Sequence, residues 1–249
     1  MSSDAPALVR YQTMLLAMVD RARDDSVVDW PSSLDATDIE GSRRAEFTGL
    51  SIYHLMTHPL PHQAAPVGLM DTLLQQVSNR CALLPPMTSD HASLWCEMIW
   101  KGLALIVSRY AKDGSPAYSV WQRIRDDQQP SGAFFQPLPS THPETLWYYE
   151  LVMLHAVSAS SILNDSPRLR ATASRNAAYH LNFTQPDHAT ALPWGLPAFI
   201  INPETHTLAD QMLHTVQTQP VSCVTLMLLA DTLYLLDRFA TLQRNKGDS

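Results

Sequence analysis

One stretch of the chain, from Gly114 to Val216, carries the same order of helix-marking residues twice. The first copy runs from Gly114-Ser115-Pro116 to His142-Pro143-Glu144-Thr145, and the second from Asp165-Ser166-Pro167 to Asn202-Pro203-Glu204-Thr205. In each copy the proline falls where a helix would begin, because its fixed φ suits the first helical position. Two copies of helix, long loop and helix predict an architecture of stacked helical hairpins.

The second copy is longer than the first, and most of the extra sequence falls in the loop around 191–197. Insertions in a repeat usually lie on one face of the assembly, and that face often binds something. The loop over 185–197 is therefore the first place to expect a binding site.

Composition limits the class of protein. The chain has 249 residues, 45% of them apolar, with 8 Gly and 18 Pro, which suits a helical core better than a sandwich of short strands. A net charge of −7 without a basic cluster argues against nucleic-acid and membrane partners. The first residues lack the pattern of a signal peptide, and Cys81, Cys96 and Cys223 are unevenly spaced. We therefore expect a cytoplasmic protein with reduced thiols.

Apolar periodicity predicts a single all-α domain over 1–249. Helices are expected over 5–23, 66–84, 89–111 and 221–242, in addition to those of the two copies. A polar, acidic stretch over 24–44 is predicted to form an irregular arm, and hairpin repeats are predicted over 89–242.

A family resemblance follows from this layout. A helix, a loop carrying Gly132-Ala133-Phe134, and a second helix beginning Pro-Glu-Thr together resemble the hairpin unit of α/α toroids. That group includes terpenoid cyclases, protein prenyltransferases and several polysaccharide lyases. The resemblance implies inner helices that line a central cavity. The chain lacks an Asp-x-Asp-Asp motif and an Asp-rich diphosphate motif, and it is short for a complete ring, so we predict an open or incomplete toroid.

One helix of the second copy carries a stripe that suggests a metal. His206, Asp210 and His214 are spaced by four residues, so they lie along one helix face and offer ligands of the kind that zinc prefers. The stripe is about 12 Å long at the α-helical rise per residue, so only an adjacent pair could meet one ion. Hydrogen-bonded or solvent-facing side chains are the alternative. The sequence predicts no cofactor otherwise and leaves a zinc-like divalent ion open.

A second constellation suggests a saccharide. Loop residues and the first inner helix supply a carboxylate, an imidazole, phenols and an indole, a set that can stack on a sugar ring and provide a general base. Arg168, Arg170 and Arg175 are the cations nearest in sequence that could neutralise a uronate carboxylate. The candidate catalytic residues are Asp187, His188 and Asp210, and the candidate ligand-binding residues are Trp194, Tyr148, Tyr149, Glu150 and Glu204.

Two of these acids also have a purely structural explanation. Glu144 and Glu204 stand in the first turn of their helices, where a carboxylate is favoured by the helix dipole. Glu150 and Asp210 lie instead within otherwise apolar helical stretches, where an acid calls for a partner.

Three functions follow as hypotheses. The first is a protein, or an enzyme, that binds a small molecule or saccharide in a toroid-like cavity. The second is a protein interaction or self-association module that uses a concave helical face. The third is a metal-dependent hydrolase that uses the histidine stripe with Asp187.

Overall fold

The computed structural model describes residues 5–25, 50, 53–54, 57, 68–81, 83–110, 115–219 and 222–247. Within these ranges the regular elements are helices, and the β pairing is an isolated bridge between Thr88 and Gln136. The all-α prediction is therefore confirmed for the described residues. Their α-helices are α1 (Ala5–Asp25), α2 (Leu69–Cys81), α3 (Ala92–Val107), α4 (Pro116–Asp127), α5 (Pro143–Leu163), α6 (Pro167–Phe183), α7 (Pro186–Ala189), α8 (Leu196–Ile201), α9 (His206–Thr218) and α10 (Cys223–Gly247), with 3-10 helices at Ser89–His91 and Pro203–Thr205.

Prolines begin the helices as the sequence predicts. Pro116, Pro143 and Pro167 each occupy the start of a helix. Pro186 begins the short helix α7 within the stretch that the sequence predicts to be a loop. The first N–H of a helix has no intrahelical acceptor, so proline loses no hydrogen bond there. The second Pro-Glu-Thr opens a 3-10 helix, and α9 begins directly after it at His206.

Helix α5 lies at the centre of the described structure. Its residues from Tyr148 to Ile162 are all buried, and α3, α6, α7, α8 and α10 pack against it. A helix that is surrounded in this way must be apolar on every side, which explains why the sequence of α5 has no polar face. Its few polar side chains are consequently the ones that need partners inside the protein.

The two copies of the sequence pattern differ in their surroundings. Helix α5 has 21 residues and is buried through most of its length, whereas α9 has 13 residues and exposes one face. The additional residues of the second copy lead into α8, whose residues 196–200 are buried against α5, α9 and α10. The ring of hairpins around a central cavity stays a prediction.

The N-terminal helix packs on the C-terminal part of the chain. Helix α1 contacts α10 most extensively, and the Tyr11 hydroxyl donates a hydrogen bond to the carbonyl oxygen of His206 at 3.3 Å. The predicted arm over 24–44 lies outside the described residues except for the last turn of α1. None of the helices described has the length and apolar character that a membrane crossing requires.

Candidate functional site

The buried carboxylate of Glu150 fastens a loop to the central helix. The backbone N–H of Phe134 lies 2.9 and 2.8 Å from its two oxygens, and the N–H of Phe135 lies 2.7 Å from Oε1. The side-chain amide of Asn176, on α6, donates to Oε2 at 2.7 Å. Three elements, the loop over 128–136, α5 and α6, therefore meet at one carboxylate.

Gly132 lets this loop approach α6 closely. Its φ is +94°, and a Cβ at this position would lie 2.4 Å from the carbonyl oxygen of Arg175. The carbonyl oxygen of Gly132 accepts hydrogen bonds from Asn176 Nδ2 at 3.1 Å and from Gln128 Nε2 at 2.8 Å. The Gly-Ala-Phe element of the sequence is thus a docking loop that only glycine permits.

The electrostatics of Glu150 match this anchoring role. Burial raises the pKa of Glu150 to about 7, while the hydrogen bonds from Phe134, Phe135 and Asn176 lower it. Each of these groups donates, so the donor set favours the ionised carboxylate. The sequence predicts that an acid within an apolar helix needs a partner, and Glu150 has its partners in Phe134, Phe135 and Asn176. Glu150 is fully buried, and its predicted ligand-binding role stays a prediction.

A second buried network joins three residues that are far apart in sequence. The hydroxyl of Tyr53 donates to Asp231 Oδ1 at 2.9 Å, and His155 Nε2 lies 3.1 Å from Asp231 Oδ2. The N–H of Gly195 donates to His155 Nδ1 at 3.3 Å, so the proton of a neutral imidazole is on Nε2 and faces the carboxylate. Burial, followed by the charge of Asp231, raises the pKa of Tyr53 well above its usual value.

Aromatic rings enclose this network. Trp194 and Trp100 stand with ring centroids 5.9 Å apart, and His155 lies 5.7 Å from Trp194 and 5.9 Å from Trp100. Contacts this short leave no room for a ligand between the rings. All three side chains of this network are fully buried.

The predicted aromatic platform is consequently part of the core. Trp194 is fully buried, and Tyr148 and Tyr149 are 2% and 8% exposed. The loop before α8 carries Trp194 inward because α8 itself is inserted against α5. The ligand-binding role predicted for these three residues stays a prediction.

The histidine stripe of α9 is divided among separate partners. His206 Nε2 lies 2.9 Å from the carbonyl oxygen of Ile200, and Asp210 forms an ion pair with Arg10 at 2.9 Å. His214 is exposed. In the described part of the chain no three His, Cys, Asp or Glu side chains are grouped closely enough to hold a metal ion. A metal-binding role for the stripe stays a prediction.

The remaining predicted residues are Glu204, Asp187 and His188. Glu204 is exposed in the first turn of its 3-10 helix, in the position that the helix dipole favours. Asp187 and His188 lie in α7, and their side chains are outside the described part of the structure. Their proposed catalytic role stays a prediction.

A pocket of about 200 Å³ opens beside the C-terminal half of α5. We call it the serine pocket, because three serines contribute to its wall. Helices α5, α6 and α10 and the segment that ends α8 supply its lining, namely Ser158, Ser161, Ile162, Arg170, Ala173, Ser174, Ala198, Ile201, Asn202, Pro203 and Phe239.

Arg170 supplies the positive charge of the serine pocket. Its Nη2 donates to Asp165 Oδ1 at 2.9 Å, and its guanidinium lies 5.6 Å from the centre of the Phe239 ring. Its Nε is buried and has no hydrogen-bond partner among the described residues. A buried donor without an acceptor is uncommon in folded proteins and is a place to expect water or a ligand.

The sequence signal for this pocket was present but was not recognised. Residues 158–161 read Ser-Ala-Ser-Ser in the middle of an apolar helix, and small polar side chains leave space where large apolar ones would close it. Arg170 was identified only as a cation near in sequence. Comparisons of the chain with protein-family models, with curated proteins and with solved structures gave no match.

Proposed function

We propose that the serine pocket binds a small polyhydroxylated carboxylate of the size of a single sugar acid. The observation that carries the proposal is Arg170, which lines the pocket and whose buried Nε lacks an acceptor among the described residues. Drug-sized ligands occupy roughly 300–1,000 Å³. A volume of about 200 Å³ suits a smaller molecule.

The polar groups of the pocket complement a hydroxy acid. Arg170 offers donors in the planar arrangement that a carboxylate accepts. The hydroxyls of Ser158 and Ser161 donate to carbonyl oxygens of α5 at 2.7 and 2.8 Å, so their lone pairs are left to accept from ligand hydroxyls. Asn202 adds an amide that can do both.

The local charge favours an anion. Asp165 is shared between Arg170 and Lys246, each at 2.9 Å. Hydrogen bonds from these two cations lower the pKa of Asp165, so it is ionised at neutral pH. Arg170 places its positive charge at the wall of the pocket, where it favours a ligand carboxylate.

The proposal keeps the saccharide class expected from the sequence and moves the site. Asn202 and Pro203 directly follow the inserted loop and α8, whereas Trp194 and the tyrosines lie in the core. Phe239 offers the aromatic surface that the predicted platform was to supply. The proposed activity is binding, and no catalytic step is assigned to the pocket.

Isothermal titration of the purified protein with D-glucuronate and with D-glucose tests the proposal. We expect glucuronate to bind at least tenfold more tightly, since a hydrogen bond to a charged group contributes about 1.5–3 kcal/mol and a factor of ten in affinity corresponds to about 1.4 kcal/mol. Arg170→Met keeps the aliphatic stem beside Phe239 and should reduce glucuronate affinity at least about tenfold.

Arg238→Met is the matched control. Arg238 is exposed on α10 beside Phe239 in sequence and does not line the pocket, so the variant makes the same change in net charge. It should bind glucuronate like the unaltered protein. Equal binding by Arg170→Met, or no heat of binding for glucuronate at about 10 mM, would overturn the proposal.

A further inference from the structure

Three helices line the serine pocket with the same spacing of side chains. Residues at positions i, i+3 and i+4 share one face of a helix. Helix α5, helix α6, and α8 with its C-cap residue each supply such a set, namely Ser158, Ser161 and Ile162, then Arg170, Ala173 and Ser174, then Ala198, Ile201 and Asn202. Each helix therefore turns one face towards the pocket.

The pocket has an exposed mouth and a buried inner end. The Arg170 side chain is 25% exposed, and Ser174 on the same face of α6 is exposed as well. Four lining residues with small side chains are at most 6% exposed, and we call them the pocket floor: Ser158, Ser161, Ala173 and Ala198. The positive charge is therefore at the mouth, and the floor is neutral.

The two serines of the pocket floor can accept hydrogen bonds from a ligand, but their own hydrogens are already used. Ser158 Oγ donates to the carbonyl oxygen of Leu154 at 2.7 Å, and Ser161 Oγ donates to that of Ser158 at 2.8 Å. A serine hydroxyl has one donor and two acceptor lone pairs. A ligand group that reaches the floor is therefore favoured if it donates, as a hydroxyl does.

A second carboxylate would have no such match at the pocket floor. Among the described residues that line the pocket, Arg170 is the one with a charged side chain. The alanines of the floor add only methyl groups. A carboxylate that leaves water without a cation or hydrogen-bond donors is strongly disfavoured. The floor therefore suits a hydroxyl and excludes a negative charge.

We infer that the serine pocket selects sugar acids with one carboxylate and a hydroxyl at the opposite end, and rejects sugar dicarboxylates. The inference rests on the proposed function, because it requires Arg170 to hold the ligand carboxylate at the mouth. The opposite end of the ligand then meets the floor, where its hydroxyl donates to Ser158 or Ser161. The ligand class is thereby narrowed from sugar acids in general to monocarboxylates.

Isothermal titration of the purified protein with D-gluconate and with D-glucarate tests the inference. The two acids have the same carbon chain and differ at one end, where gluconate has a hydroxymethyl group and glucarate has a second carboxylate. We expect gluconate to bind at least about tenfold more tightly. Nonspecific attraction to positive charge would give the opposite order, because glucarate carries two negative charges.

Ser158→Ala and Ser161→Ala test the floor directly. Each variant removes an acceptor for the ligand hydroxyl, so the ratio of gluconate affinity to glucarate affinity should fall about threefold or more. Alanine has a higher helix propensity than serine, so α5 is retained, and urea unfolding checks this. Ser160→Ala is the matched control, because Ser160 lies on the same helix, is 1% exposed and does not line the pocket. Its affinity ratio should equal that of the unaltered protein.

The outcomes separate this inference from the proposed function. Equal affinities for the two acids, or tighter binding of glucarate, would overturn the inference and leave the proposed function intact. A ratio that neither Ser158→Ala nor Ser161→Ala changes, or that Ser160→Ala changes to the same extent, would also overturn it. If neither acid gives a heat of binding at about 10 mM, the proposed function fails and the inference fails with it.

Discussion

Replacing Gly132 with alanine tests whether the loop over 128–136 is held against α6 by backbone contact. An alanine Cβ would lie 2.4 Å from the carbonyl oxygen of Arg175 and 3.3 Å from the Cβ of Tyr179. Because the first of these atoms belongs to a helix backbone, no side-chain rotation can relieve the clash. The loop would have to move away from α6, and the hydrogen bonds between Phe134, Asn176 and Glu150 would lengthen.

The expected loss can be estimated from two contributions. A side chain at a φ of +94° adds backbone strain, which costs about 1–3 kcal/mol at such positions. Forcing extra volume into a packed contact costs about 1–3 kcal/mol more. Alanine also lowers the conformational entropy of the unfolded chain, which raises the free energy of unfolding by about 0.4–1 kcal/mol. We expect Gly132→Ala to lower the free energy of unfolding by about 1–5.6 kcal/mol, with a central value of about 3 kcal/mol.

Gly68→Ala is the control that isolates backbone strain. Gly68 has a φ of +79°, and a Cβ there would meet no atom within 4 Å. Its loss should be about 1 kcal/mol, measured for both variants by urea unfolding with circular dichroism and comparison of m-values. Equal losses for Gly132→Ala and Gly68→Ala would refute the packing argument. Gly195→Ala should fall between them, because its nearest neighbour is the flexible end of Leu154 at 3.1 Å.

Three further predictions concern buried polar groups. Glu150→Ala leaves several buried donors without an acceptor and should cost about 3 kcal/mol or more, whereas Glu144→Ala, at an exposed first-turn position, should cost about 0.5 kcal/mol in the same urea assay. Burial lowers the pKa of His180 to about 3, whereas the histidine of the unfolded chain has a pKa of 6.5, so between these pH values the unfolded chain binds the proton more tightly. The free energy of unfolding of His180→Leu minus that of the unaltered protein should therefore fall as pH rises from 3 to 6.5. A difference that grows with pH would contradict this. Asp231→Asn places an amide N–H against the donors Tyr53 and His155 and should lower the free energy of unfolding by about 1–3 kcal/mol. Asp210→Asn, at the exposed ion pair with Arg10, should lower it by about 1 kcal/mol or less. Equal losses for the two variants would contradict the importance of the buried network.

The pH test with His180 needs the matched variant because Glu150 acts in the opposite sense. The pKa of Glu150 is raised from 4.5 to about 7, so its folded form binds a proton more tightly and stability falls as pH rises through that window. The pKa of His180 is lowered, so its contribution rises with pH over a window that overlaps the first. The difference in the free energy of unfolding between the unaltered protein and His180→Leu at each pH isolates the contribution of His180.

Two acids with similar sequence surroundings differ in burial and in partners, which periodicity does not predict. Glu150 and Asp210 both lie within apolar helical stretches, and both were expected to need partners. Glu150 is covered by the loop over 128–136 and by α6, whereas Asp210 faces α1 and pairs with Arg10 at an exposed position. Periodicity within a helix does not specify which distant element packs on it.

The networks that were missed have the same cause. Tyr53, His155 and Asp231 lie in three separate segments, and their only sequence signal is a lone acid inside the apolar stretch that became α10. The small residues Ser-Ala-Ser-Ser of α5 likewise indicate a position where neighbouring side chains leave a gap. The sequence does not show which helices surround that gap and form the serine pocket.

The sequence alone determined the local features of this protein. Apolar periods predicted the helical class, prolines marked where helices begin, and the segment around Gly132 was predicted as a loop, because each of these depends on residues close together in the chain. The tertiary structure decided which helix became central, which polar side chains were buried as anchors, and where the serine pocket opened. Those outcomes depend on contacts between α5, α6, α8 and α10, and the free energy of such contacts is set by the whole packed arrangement.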